Sequence, residues 1–167
     1  MFNNLIRKLV LKEFKGNAFI KGTLECRLKR AGSDEKILLW EMPIPNKVVD
    51  AGIAWIAYLL MSSTPTHFTH GAIGSGTTAP ADGDTALESQ LGSREVAALS
   101  RITTTITNDT AQYVCTFTAT APWAVTEYGT FSAITGGTML NRVTFSVINL
   151  DTSDELSFTY KAQVQRA

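Results

Sequence analysis

The sequence predicts a mainly β protein: an antiparallel β-sandwich or jelly-roll-like domain with one main helix and an N-terminal arm. Three observations carry this. Residues 126–164 fall into three segments of alternating side chains separated by polar turns. Further alternating segments precede them, for a total of about seven to nine strands, in the range of a sandwich. Only one stretch, 46–61, shows convincing helical spacing.

Taken in order, residues 1–16 form an arm and residues 17–167 the β domain. In the arm, Leu5, Leu9 and Val10 fall near one helical face with Arg7, Lys8 and Lys12 elsewhere, while Lys8 to Lys12 fits a strand equally. Gly16-Asn17 breaks the pattern. Ala18 to Arg30 alternates, with Ile20, Leu24, Cys26 and Leu28 on one face and charged residues on the other. Gly32 to Glu35 is a turn. Ile37 to Ile44 is the return strand, ended by Pro43 and Pro45, which donate no ladder hydrogen bond.

Asn46 to Met61 is the helix. Asp50 is the expected N-cap. Ile53, Ile56, Tyr58, Leu59 and Leu60 form a stripe that should lie on the sheet. His67 to Ile73 reads as a short strand, Gly74 to Asp84 as a long polar loop, and Thr85 to Leu91 as a short helix capped by Asp84 or Thr85. Ile102 to Thr107 and Tyr113 to Thr120 form a hairpin about Asn108-Asp109. Glu127 to Ala133 and Arg142 to Ile148 flank Gly136-Gly137, a pair suited to the positive φ angles of a tight turn. In the second of these strands Val143, Phe145 and Val147 share a face. Asp151 to Asp154 is another turn, and Glu155 to Val164 closes the chain with Leu156, Phe158, Tyr160, Ala162 and Val164 on one face.

Composition narrows the function. Hydrophobic residues make up 44% of the 167, enough for a packed core. Net charge is zero, so no bulk charge directs the chain to nucleic acid. The distribution is uneven: eight basic and two acidic residues precede Ala31, leaving the remainder acidic by the same margin. A basic end and an acidic body can meet within one chain or between copies, or the basic face is simply solvated. The N-terminus lacks the order of a secretion signal, and no run approaches the roughly 20 apolar residues of a membrane span. Cys26 and Cys115 fall in predicted strands; one disulfide between them is open, and two buried free thiols are the expectation.

No arrangement of residues marks a catalytic, cofactor or metal site. Gly74-Ser75-Gly76 lacks the Lys-Ser/Thr of a phosphate-binding loop. Asp82, Asp84 and Glu88 lack the remaining oxygen ligands of a calcium loop. His67 and His70, at i and i+3 on a strand, would point to opposite faces. No nucleophile elbow or reactive-cysteine context is present. The aromatics Trp40, Trp55, Trp123, Tyr113, Tyr128 and Tyr160 are scattered and read as core rather than as a sugar platform.

Several short motifs nevertheless stand in a distinctive order: Asn46-Lys47-Val48-Val49-Asp50-Ala51-Gly52; His70-Gly71-Ala72-Ile73-Gly74-Ser75-Gly76-Thr77-Thr78-Ala79-Pro80; Asp84-Thr85-Ala86-Leu87-Glu88; Glu127-Tyr128-Gly129-Thr130-Phe131; and Thr135-Gly136-Gly137-Thr138-Met139-Leu140-Asn141-Arg142. Over about residues 46–164 this resembles a group of small tailed-bacteriophage virion proteins. Tyr128 and Thr130 depart from that pattern, which often has smaller or apolar residues there. The resemblance implies a β-rich, non-enzymatic structural protein without cofactors, present in many copies in a virion assembled in the host cytoplasm. A capsid decoration or cement protein is the first expectation. A tail, collar or baseplate component or fibre adaptor is the alternative, and a carbohydrate-binding module the remote one. The expected partners are the major capsid protein or tail proteins and further copies of the chain, as a trimer, with no direct contact to nucleic acid or membrane. Phe2, Leu5, Arg7, Lys8, Leu9, Val10 and Lys12 are the expected contact residues of the arm.

Overall fold

The structure, a computed structural model, describes residues 18–42, 47–64 and 66–166. Among these residues, ten strands and one helix follow in the order β1 (Ala18–Lys29), β2 (Ile37–Met42), β3 (Lys47–Val48), α1 (Asp50–Leu59), β4 (His70–Gly74), β5 (Gln90–Val96), β6 (Ala98–Ile102), β7 (Thr110–Thr118), β8 (Trp123–Phe131), β9 (Met139–Leu150) and β10 (Glu155–Arg166). They form two five-stranded antiparallel sheets, ordered β2-β1-β10-β7-β6 and β3-β9-β8-β4-β5. The expected β-sandwich is therefore present.

The sheets pack face to face. Trp40 of β2 meets Phe145 of β9 with ring centroids 5.3 Å apart. Phe158 of β10 meets Tyr128 of β8 at 4.9 Å. Gly71 of β4 lies so close to β7 that a Cβ there would sit 2.6 Å from the Cys115 sulfur. Phe158 is the hub, with Trp40, Phe117, Tyr128 and Phe145 all within 6.4 Å. Full burial of such a ring contributes about 2–3 kcal/mol.

The alternation of β1 and β10 is as expected: Leu24, Cys26 and Leu28 face Leu156, Phe158 and Tyr160 in the core. Several expectations need correction. The segment 126–164 is not one three-stranded sheet. β8 and β9 pair, but the Asp151 to Asp154 turn carries the chain across to the other sheet, where β10 inserts between β1 and β7. The connection around Gly136 and Gly137 is a seven-residue loop between Phe131 and Met139, not a two-residue turn, although both glycines do have positive φ. Val147 is 53% exposed because a bulge shifts the phase of β9: Val125 pairs with Ile148, yet Glu127 pairs with Thr144. Inward positions therefore pass from Val143 and Phe145 to Ile148 and Leu150.

Residues 85–91 form no helix; they run extended into β5. The strand placed at Ile102 to Thr107 instead ends at Ile102, because residues 103–109 wrap around the Asp109 carboxylate. It accepts the N–H groups of Thr104, Thr105 and Ile106 at 2.9, 3.0 and 2.9 Å. β4 begins only at His70, which leaves His67 outside the strand.

The helix also differs. Val49, not Asp50, is its N-cap, and no side chain caps it. Asp50 lies in the first turn, where its charge still favours the helix N-terminus. The expected apolar stripe is only partly covered: Trp55, Ile56 and Leu59 pack on the core, whereas Ile53, Tyr58 and Leu60 are exposed. Gly52 is the one buried helical residue, and a Cβ there would meet the Leu140 carbonyl oxygen at 2.4 Å.

Candidate functional site

One strand is buried on both faces. From Val125 to Ser132 every residue is buried. The inner face belongs to the sandwich core. The outer face is covered by residues 75–89, which cross the sheet and insert Leu87 beside Val49, Ala72, Phe131 and Met139 in a second, smaller apolar cluster. Gly129 makes this possible, since a Cβ there would crowd Leu87 at 3.0 Å.

A charged network lies under the same cover. Glu127 and Arg142, from neighbouring strands, are 0% and 3% exposed. Arg142 Nε donates to Glu127 Oε2 at 2.8 Å. Its terminal nitrogens donate to Asp84 Oδ2 at 3.0 Å and Glu88 Oε2 at 3.3 Å. The Glu127 carboxylate also accepts the N–H groups of Gly76 at 3.0 Å, Glu88 at 3.2 Å and Ser89 at 2.9 Å. A buried charge is tolerated only when paired and hydrogen-bonded, and here both are.

These contacts give the glycines their meaning. A Cβ at Gly74 would lie 2.4 Å from Glu127 Oε1, and one at Gly76 would lie 2.6 Å from it. The Gly-Ser-Gly turn does present a backbone N–H to an anion. The anion is the carboxylate of the chain's own Glu127, which takes the place where a phosphate-binding loop would hold its ligand.

The acidic residues of the loop are likewise committed. Asp84 accepts the Ala81 N–H at 2.9 Å as well as Arg142. Glu88 accepts the N–H and hydroxyl of Thr78, each at 2.9 Å. Burial would raise the Asp84 pKa, but the Ala81 N–H and the Arg142 guanidinium outweigh it and hold the carboxyl below its ordinary range. Thr78 and Arg142 do the same for Glu88. Burial opposes the charge of Arg142, but Glu127 and Asp84 overcome it and raise its pKa. Among the described residues no cluster of His, Cys, Asp or Glu is placed to hold a metal.

The network reaches further through the backbone. Asp50 N donates to Asp82 O at 2.8 Å, and Val49 N to Leu140 O at 3.1 Å. The helix start, the covering loop and the β8–β9 pair are thus tied together. Arg94 secures the far end of that pair. Its guanidinium carbon stands 3.5 Å over the Phe131 ring, and it donates to Ala133 O and Gly136 O at 2.8 and 2.6 Å.

Chemically, the arrangement is a clamp that fixes a long loop to a sheet. His67 and His70 take no part: His67 is exposed outside the strand, and His70 pairs with the Thr69 hydroxyl at 2.9 Å. Phe2, Leu5, Arg7, Lys8, Leu9, Val10 and Lys12 lie outside the described residues. The sequence reading missed Glu127 and Arg142 as partners. The available signal was an acid and an arginine on two strands joined by one turn. No family model, no curated protein and no solved structure matches this chain.

Proposed function

We propose that this chain is a non-enzymatic structural protein of a tailed-bacteriophage virion, acting as a capsid decoration or cement protein in contact with the major capsid protein. The observation that carries this reading is where the distinctive motifs end up. Gly74, Gly76, Asp84, Glu88, Glu127, Gly129 and Arg142, scattered over the resembling segment, converge on one clamp whose charged groups are spent on one another. Motifs that specify architecture rather than a reactive site suit a protein whose work is assembly. Exposed apolar side chains support association: Leu60 and Met61 are 86% and 85% exposed after α1, and Ile37 and Leu38 are exposed on edge strand β2. The basic arm 1–16 is the further contact with a neighbouring subunit.

Electron microscopy of intact particles tests the reading. Many copies over the shell are expected. A few copies at a vertex or along the tail would move the function to the tail or collar, and absence from particles would defeat both. Deleting residues 1–16 should abolish incorporation while leaving the sandwich folded; retained incorporation would remove the role of the arm.

A further inference from the structure

The two sheets part at one corner. In β7, Cys115 and Phe117 are core residues and Tyr113 packs against the core, so Ala111 shares their face by the two-residue period. Leu99 and Arg101 of β6 pair with Tyr113 and Ala111 and therefore share it too. Here the facing layer is not another strand but the segment ahead of β4, which supplies His67 and Phe68. The result is an open cleft of about 390 Å³, within the size range of small-ligand sites.

Its lining is selective. Phe68, Leu99 and Tyr113 give it an apolar body. Leu99 stays 50% exposed although it points to the core side of its sheet. Arg101 and His67 are exposed at the mouth of the cleft, and neither side chain has an ion pair or hydrogen bond among the described residues. Among the described residues, no Asp or Glu lines the cleft. Burial pushes the Tyr113 phenol up, so the hydroxyl stays protonated and able to donate.

We infer that this inter-sheet cleft binds an apolar carboxylate, with Arg101 taking the carboxylate and Leu99, Phe68 and Tyr113 taking the apolar body. A guanidinium pairs with a carboxylate through two parallel N–H donors, which a neutral amide cannot reproduce. A single arginine beside an apolar wall fits one carboxylate better than a doubly charged phosphate. The ligand chemistry is that of a free aryl or alkyl acid, or of an acidic side chain flanked by apolar ones in a peptide.

The test is an NMR titration of the full chain with 3-phenylpropionate and its amide, and with the peptide acetyl-Phe-Glu-Phe-amide and its Gln counterpart. Resonances of His67, Leu99 and Tyr113 should move with the acid, with the amide at least about tenfold weaker. Arg101→Gln should reduce the acid to the level of the amide. Because the Arg101 side chain makes no hydrogen bond or ion pair in the described fold, this variant should keep the parent melting temperature. Tighter binding of the Glu peptide than of phenylpropionate would identify a protein segment as the occupant, and the reverse order a small acid. Equal binding of acid and amide, an unchanged affinity in Arg101→Gln, or shifts confined to other surfaces would overturn the inference. These outcomes are independent of where the protein sits in a particle.

Discussion

The Arg142 guanidinium and the Glu127 carboxylate meet at 2.8 Å beneath residues 75–89, both screened from water. Removing one partner strands the other as a buried charge, at a cost of about 3–5 kcal/mol. Glu127→Gln and Arg142→Met should each lower the unfolding free energy in denaturant by about that much. The double variant should lose clearly less than the sum, because the stranded charge is gone. Single variants within about 1 kcal/mol of the parent would show that the clamp contributes little.

Gly74 and Gly76 are required by closeness, not by backbone angle. Alanine at either position would drive a Cβ to 2.4 or 2.6 Å from the Glu127 carboxylate, and at Gly74 also to 2.5 Å from the Ser89 carbonyl. Each substitution should cost more than about 2 kcal/mol in urea unfolding. Gly83, in the same loop, has no neighbour within 4 Å of its virtual Cβ. Gly83→Ala should stay within about 0.5 kcal/mol of the parent. Equal tolerance at all three positions would refute the packing of the loop on Glu127.

What could be read in the sequence, and what could not, follows from range. The inward faces of β1 and β10 are set by a period of two, and Leu24, Cys26, Phe158 and Tyr160 are where that period puts them. The second face of β8 was illegible because its cover comes from residues about 40 to 50 positions earlier. Glu127, Gly129 and Phe131 share that second face, and Leu87 and the clamp make it an interior. The helix expected at residues 85–91 failed for the same reason. Glu88 and Ser89 donate their N–H groups to Glu127 rather than into a helical turn. Val147 was misplaced because a bulge leaves no mark in the pattern. The glycines at 74 and 76 were legible as permissive positions, but the reason for them was a side chain on another strand.

Acid should unfold this protein through a small set of carboxylates. Asp84, Glu88, Asp109 and Asp154 all have depressed pKa values in the folded state. For Asp109, burial works against the charge, but the turn N–H groups and the Gln163 amide at 2.7 Å outweigh it. Asp154 holds the sheet crossing to the end of β1, accepting from Ala31 N at 2.8 Å and Arg30 at 2.6 Å. A group that binds its proton less tightly when folded stabilises above its unfolded pKa, about 4 for these side chains, and loses that contribution as pH falls toward the folded value. The urea midpoint should therefore be nearly level from pH 7 to about 5 and fall steeply below about 4. Asp109→Asn should flatten that fall; an unchanged slope would exclude Asp109 as a contributor.

The two cysteines should be chemically silent until the chain unfolds. Cys26 on β1 and Cys115 on β7 are separated by β10, with Phe158 paired to both. Two strand spacings put their Cα atoms about 10 Å apart, too far for a disulfide. Burial pushes the Cys26 thiol up to about 12, with Glu25 adding to it, and burial pushes Cys115 up to about 11. Neither is appreciably ionised at neutral pH, and only the thiolate reacts. A thiol reagent at pH 8 should label neither in the native protein and both in denaturant. Rapid labelling of one without denaturant would show a sandwich that opens locally on that side.

Gly52 sets two opposing effects against each other. Alanine is favoured over glycine within a helix by about 1 kcal/mol. Here, however, an added Cβ would stand 2.4 Å from the Leu140 carbonyl oxygen and 2.9 Å from its Cα, both backbone atoms of a paired strand. Neither can rotate away, so the helix must lift. Lifting it breaks the Val49 N–H to Leu140 O bond and loosens Trp55, whose indole donates to Thr66 O at 2.9 Å. Sterics therefore win, and Gly52→Ala should destabilise by more than about 2 kcal/mol. Ala57→Gly, on the exposed side of the same helix, should cost only about 1 kcal/mol through propensity alone. Tryptophan fluorescence during denaturant unfolding separates the two cases. A stabilised Gly52→Ala variant would mean that helix α1 does not rest on β9 through this residue.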